Sequence, residues 1–213
     1  LRDIHQVAYL QKASDELPAW NEWETVELAS HEVCLQDKIK YAANFKIVEV
    51  ESNKLKANRI IQKIGAKTLV INPPYKTMTE TEIDQSFDLP YTREPHPKYK
   101  KRGAIPAFDM IKFSINMHRG CFGGCSFCTI SAHQGKFIAS RSEKSILNEL
   151  EQVVADPDFK GYISDLGGPS ANMYRMQGKD EAICARCSSP SCIHPVICNN
   201  LDTNHKHMTE LYR

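Results

Sequence analysis

The sequence predicts an α/β protein that holds the first βα units of a partial (β/α) TIM-like barrel, preceded by a mainly helical segment. Three observations predict it. Met110 to Met117 alternates between apolar and polar residues, with Ile111, Phe113, Ile115 and Met117 on one side, and reads as a strand. Ile146, Leu147, Leu150, Val153 and Val154 then give one apolar helical face. A short run from Tyr162 to Leu166 reads as a second strand and closes on Gly167-Gly168. Strand, loop, helix and strand make a βαβ unit, whose strands run parallel with a right-handed crossover.

Taken in order, residues 1–72 read as a helical segment and a short strand, expected to belong to an upstream domain. Pro18 interrupts an early segment that ends near Asp15-Glu16. His31 to Glu51 is rich in helix formers, but its apolar positions (Val33, Leu35, Ile39, Ala42, Ala43, Phe45) fit a helical period only loosely. Leu55 to Ile64 reads as another helix, with Gly65 as its C′ glycine. Thr68 to Asn72 reads as a short buried strand stopped by Pro73-Pro74. Residues 73–107 carry six of the eleven prolines and read as a connector. Its basic run, Lys98 to Arg102, is either a phosphate-binding patch or, more simply, a solvated linker.

Residues 108–213 are expected to form the N-terminal part of the barrel core. Ser142 is the N-cap of its helix, Asp156-Pro157 its stop, and residues 178–200 a cysteine-rich loop. Met208 to Arg213 reads like the opening of an amphipathic helix. With no initiator methionine at the start, the chain is expected to be a piece of a longer protein. Trp20 and Trp23, among acidic residues, are expected to pack locally, and Cys34 to be a buried thiol on a helix.

The bulk properties set bounds on function. The chain has 213 residues, 41% apolar and 25% charged, with a net charge of +1. No global field points to nucleic acid or to a membrane. No apolar run reaches the ~18 residues of a membrane span. The first residues contain no secretory h-region, so a cytoplasmic location is expected. Eight cysteines in such a chain argue for metal binding or redox work rather than a disulfide scaffold.

Cys121-Phe122-Gly123-Gly124-Cys125-Ser126-Phe127-Cys128 is a C-x3-C-x2-C motif. Thiolates are the ligands that iron–sulfur clusters select. Glycines at 120, 123 and 124 let a short loop wrap tightly. Three thiolates on four irons leave one iron open, and an open coordination position is where a metal centre does chemistry. On spacing alone, half of a zinc site, completed by His118 or His133, and incidental thiols remain alternatives. The position after a strand and before a crossover helix is where α/β barrels place their sites.

The motif, with an aromatic residue before its last cysteine, resembles the signature of the radical S-adenosylmethionine (SAM) superfamily. The wider strings His118 to Cys128, His133-Gln134-Gly135-Lys136 and Ser140-Arg141-Ser142 resemble the YgiQ-type family within it. So do Asn72-Pro73-Pro74, Leu89 to Arg93 and Cys192 to Leu201. The resemblance implies a [4Fe–4S] cluster on Cys121, Cys125 and Cys128, with SAM chelating the fourth iron. It implies reductive cleavage of SAM to a 5′-deoxyadenosyl radical that abstracts hydrogen from a substrate the sequence does not identify. An electron donor such as flavodoxin or ferredoxin is implied as partner. Phe127 would lie near the adenine. Gly167-Gly168 matches the first two residues of the family's Gly-Gly-Glu element at the SAM amino group, but Pro169 takes the place of the glutamate. Lys136 and Arg141 would either meet the SAM carboxylate or sit as surface charges at a helix entry.

Cys184, Cys187, Cys192 and Cys198 form a second group in a polar, turn-rich loop. Such a loop has little to build a core from, so zinc or a second iron–sulfur cluster would hold it together. Free thiols in a lid loop are the alternative. Two further readings of the whole chain compete: a tRNA-modifying, methylthiotransferase-like radical SAM enzyme, which the stretch from Cys128 to Ser145 also resembles, and a non-enzymatic zinc module using both cysteine groups.

Overall fold

The computed structural model describes residues 2–19 and 22–213. In chain order its first elements are β1 (Ala8–Lys12), β2 (Thr25–Glu27), α1 (His31–Gln36), α2 (Lys38–Ser52), β3 (Arg59–Ile64), β4 (Lys67–Ile71), α3 (Glu80–Phe87) and α4 (Pro106–Ile111). Then come β5 (Ser114–Asn116), β6 (His118–Arg119), α5 (Ile130–Gln134), β7 (Ala139–Ser140), α6 (Glu143–Val154), β8 (Asp165–Gly167), α7 (Glu181–Ala185) and α8 (Lys206–Leu211). The architecture is mixed α/β. The chain divides into two compact units: Leu1–Thr77 with Phe122–Phe137 and Gly178–Leu201, and Met78–Cys121 with Ile138–Gln177 and Asp202–Arg213.

The first unit is built on a four-stranded sheet of order β1-β4-β3-β2. β4 lies antiparallel to both β1 and β3, and β2 lies parallel to β3. This corrects the expectation of a mainly helical segment over residues 1–72. The helix formers from His31 onward do fold as α1 and α2. Asp37 breaks them apart, its carboxylate accepting from the Ile39 and Lys40 amides at 2.8 and 3.2 Å. The stretch read as a helix up to Ile64 is instead β3. Ile60 and Ile61, both β-branched and both buried, pair with Ile71 and Val70. Gly65 is therefore a hairpin residue, with φ +54° at the turn between β3 and β4, and not a helix C′ glycine.

The loose period of α2 has a physical counterpart. Its buried residues are the polar Asn44 and Glu51, while Ile39 and Phe45 are exposed. Asn44 accepts from the Ala29 amide and donates to the Ala29 carbonyl, both at 2.9 Å. Trp23 stacks edge-on against His5 and lies under the Arg59 guanidinium, partners far away in sequence rather than the local packing expected; Trp20 lies outside the described residues. Cys34 sits on α1, half-buried rather than buried.

The second unit contains the βαβ arrangement. β5 and β8 pair in parallel, Ser114 to Asp165 through Asn116 to Gly167, and α6 connects them. Ser142 caps α6 by accepting from the Ser145 amide at 3.1 Å. Ile115, Met117, Ile146, Val153 and Tyr174 form the buried core, with Leu150, Leu166, Met208 and Leu211 packed against it. α8 thus uses the apolar residues that its sequence offered. Leu147 and Val154 fall outside the buried stripe. Both strands are shorter than expected. Pro106 opens α4, so Met110 and Ile111 are helical, and Tyr162 to Ser164 precede β8 without joining it. Two parallel strands do not by themselves make a barrel.

Residues 73–107 are more ordered than a connector. α3 starts with a capping box in which Thr79 and Glu82 satisfy each other's backbone amides. Arg175 ties α3 down by an ion pair to Glu80 at 2.6 Å. The basic run contains a single 3-10 turn, Pro97–Tyr99.

Candidate functional site

In the second unit, β6 delivers Cys121. It pairs antiparallel with β7, placing His118 opposite Ser140. Cys121 is buried, and its Sγ lies 3.0 Å from the Ser170 hydroxyl. His118 is fully buried and accepts the Met173 amide on Nε2 at 3.0 Å. Burial pushes its pKa below the ordinary value, so the ring is neutral at pH 7. Gly168 lies against this ring: a Cβ at that position would stand 1.9 Å from His118 Nε2. Gly167 accepts the Met117 amide at 2.7 Å through its carbonyl. The Gly-Gly pair is therefore more than a turn. One residue joins β8 to the chain leaving β5, and the other makes room for a core histidine.

In the first unit, Cys125 is exposed, Cys128 is half-buried, and the Cys128 amide donates to the Cys125 carbonyl at 3.0 Å. Phe127 is 90% exposed. Gly124 has φ +60°, and a Cβ there would meet the Ser191 Cβ at 2.7 Å. Only glycine suits both conditions. The Ser191 hydroxyl donates to the Gly123 carbonyl at 2.8 Å, and the Cys192 amide donates to the Phe122 carbonyl at 3.0 Å. The second cysteine loop thus grips the backbone between the first two cysteines of the motif.

The second group starts on α7, where the Cys184 sulfur receives the Asn200 amide nitrogen at 3.3 Å. Cys184 also packs on Gly178, where a Cβ would lie 2.3 Å from the sulfur. Lys136, only 2% exposed, points its ammonium at Cys187 Sγ (3.2 Å) and the Ser189 carbonyl (2.7 Å). Burial raises the Cys187 thiol, but the Ser189 amide and Lys136 outweigh it and leave its pKa below the usual value. Burial holds Cys184 and Cys192 above theirs. All eight cysteines are free thiols. Among the described residues, no three His, Cys, Asp or Glu side chains converge as a set that holds a metal ion, the two cysteine groups included.

Two basic residues change role. Lys136 and Arg141 are buried, so neither is a surface charge at a helix entry. Arg141 donates to Asn116 O at 2.9 Å and to Ser145, and pairs with Glu149, which also holds Arg93. Arg93 in turn donates to Ser114 O at 3.4 Å. The two guanidiniums therefore occupy carbonyls along β5 at residues 114 and 116. Ser170 and Ser191 escaped sequence reading altogether. The signal for Ser170 was its place just after the Gly-Gly-Pro string; Ser191, one residue before Cys192, carried none.

A family model described as radical SAM N-terminal matches residues 1–114, ending at the first residue of β5. A UPF0313 protein of Bacteroides thetaiotaomicron is 61% identical over 210 residues, 99% of this chain and 33% of that protein. A UPF0313 protein of Porphyromonas gingivalis is 56% identical over 214 residues, 100% of this chain and 33% of that protein. One from Vibrio vulnificus is 50% identical over 189 residues, 88% of this chain and 24% of that protein. The chain thus spans about a third or less of the length of these relatives. No solved structure matches. Among the described residues, no helix is long and apolar enough to cross a membrane. The chain belongs to the radical SAM superfamily and, within it, to the UPF0313, YgiQ-type family.

Proposed function

We propose that this chain provides the cluster loop and the first βα unit of a cytoplasmic radical SAM enzyme with a partial (β/α) barrel. Cys121, Cys125 and Cys128 are the protein's three ligands to a [4Fe–4S] cluster, and SAM is the co-substrate. The observation that carries this reading is three free thiols at C-x3-C-x2-C spacing, beginning two residues after β6 and inside a parallel βαβ unit. The donor chemistry fits the group: thiolates are what such clusters select. When bound, the cluster supplies the electron that cleaves SAM into methionine and a 5′-deoxyadenosyl radical.

The chain's own residues bind and orient. The Ser170 hydroxyl lies 3.0 Å from Cys121 Sγ, where it would donate to the thiolate of a cluster ligand, a partner of the kind that fixes metal ligands. Phe127 offers an exposed ring to the adenine. At the Gly167-Gly168 pair only backbone carbonyl contact is left for the SAM amino group, since His118 fills the space beside Gly168 and Pro169 supplies no carboxylate there. Gly123 and Gly124 keep the loop tight. The reductant is of the flavodoxin or ferredoxin class.

Metal analysis of the anaerobically purified full-length protein tests this. The expected result is a [4Fe–4S] complement, about four irons and four acid-labile sulfides, that a Cys125→Ala substitution removes. Zinc without sulfide, or iron unaffected by that substitution, refutes the assignment.

A further inference from the structure

The second cysteine group contains an electrostatic anomaly. Lys136 is 2% exposed, and among the described residues its ammonium reaches Cys187 Sγ, the Ser189 carbonyl and the face of Phe137. Among the described residues it forms no ion pair with a carboxylate. A buried cation without an anion is costly, and proteins pair such charges. Cys187 touches it directly. The Cys187 amide donates to the Cys184 carbonyl at 3.1 Å and the Cys198 amide to the Cys192 carbonyl at 2.8 Å, so the four cysteines come as two backbone-linked pairs within one fifteen-residue stretch. Among the described residues their sulfurs do not converge as a metal-holding set, and in segments of this kind metal binding and ordering go together.

We propose that Cys184, Cys187, Cys192 and Cys198 form a second, tetrathiolate metal centre, for zinc or an iron–sulfur cluster, with Lys136 as its buried counter-charge. Four thiolates around one divalent cation carry a net charge of about −2, and a four-cysteine cluster is likewise anionic. Either supplies the anion that Lys136 lacks. The thiol protons leave to solvent as the metal binds. Lys136 is a positioning residue, donating an N–H to one ligand sulfur in the way outer-shell donors orient metal ligands.

The surroundings suit this role. α7 is five residues long, and the rest of the stretch is turns stitched by isolated hydrogen bonds, with Cys198 N–H donating to Cys192 O at 2.8 Å. A segment with so little core draws its folding free energy from a metal. Its grip on Phe122 and Gly123 means that a metal here also steadies the loop that carries Cys125.

The test uses full-length protein in which Cys121, Cys125 and Cys128 are all alanine, so that the second centre is read alone and its failure cannot be confused with failure of the first. Zinc, iron and acid-labile sulfide are measured per chain, before and after adding Cys187→Ser and Cys198→Ser. The expected result is loss of one centre: one zinc, or an iron–sulfur complement, which also identifies the occupant. Equal metal content in the two proteins overturns the proposal. Lys136→Met keeps all four cysteines and guards against misfolding of the serine variants. It is expected to weaken metal retention against a competing chelator by about 10–100-fold. Retention within twofold of the parent overturns the role of Lys136. X-ray absorption of the triple-alanine protein is expected to show a sulfur-dominated first shell, and a shell of nitrogen and oxygen contradicts it.

Discussion

Cys121, Cys125 and Cys128 stand at a spacing that identifies their chemistry by resemblance, whereas Cys184, Cys187, Cys192 and Cys198 stand at a spacing that identifies nothing. The surroundings reverse that order. Cys125 and Phe127 lie in the open. In the second group Cys187 touches a buried ammonium that, among the described residues, pairs with no carboxylate. A motif names a site when its chemistry has been met before; an unpaired buried charge points to one when it has not. The two loops are also joined, through Ser191 and Cys192, so a change in one is expected to be felt in the other.

Three substitutions sharpen the comparison, from the largest effect down. Gly168→Ala forces a methyl group into the His118 ring, 1.9 Å from Nε2 where the Cβ would stand. Overpacking of that kind costs about 1–3 kcal/mol. Chemical denaturation should show the loss, with metal at the second group retained; unchanged stability would mean that Gly168 and His118 do not touch. Gly124→Ala puts a side chain at φ +60° and against Ser191. The left-handed backbone alone costs about 1–2 kcal/mol. Because Gly124 lies where the loops meet, both groups should lose metal affinity. If only the first group weakens, the loops are independent and the buttress is wrong. Ser170→Ala removes one hydrogen bond to the Cys121 sulfur. Iron content should hold while the cluster's midpoint potential falls, since donors to cluster sulfurs help set it. An unmoved potential would remove Ser170 from the site.

Particular residues show what the sequence could disclose. α6 was legible at both ends, because Ser142 caps it and Asp156-Pro157 follows it, and local chemistry decides such boundaries. The parallel pairing of β5 with β8 was legible as an order of elements, although Met110 and Ile111 mimicked a longer strand before Pro106 claimed them for α4. β3 was not legible. Arg59, Ile60 and Ile61 are all buried, so neither a helical stripe nor an alternation marks the strand. The start of α3 was there to be read as Thr79-x-x-Glu82, but the surrounding prolines suggested a connector. At the site, the thiols were visible because cysteine is rare and clustered. Lys136 was not, because its burial depends on Cys187, 51 positions further along the chain. Arg141 was invisible for a similar reason: Asn116, 25 positions earlier, helps to make it a core residue, together with Glu149 on the helix that follows it.

The central claim is that the Cys121–Cys128 loop holds a cluster with an open iron for SAM. Electron paramagnetic resonance of the reduced full-length protein, recorded with and without SAM, tests it most directly. The account predicts a [4Fe–4S] signal that SAM perturbs and that Cys125→Ala abolishes. The absence of any SAM-sensitive signal, or a SAM-sensitive signal that survives Cys125→Ala, would contradict it.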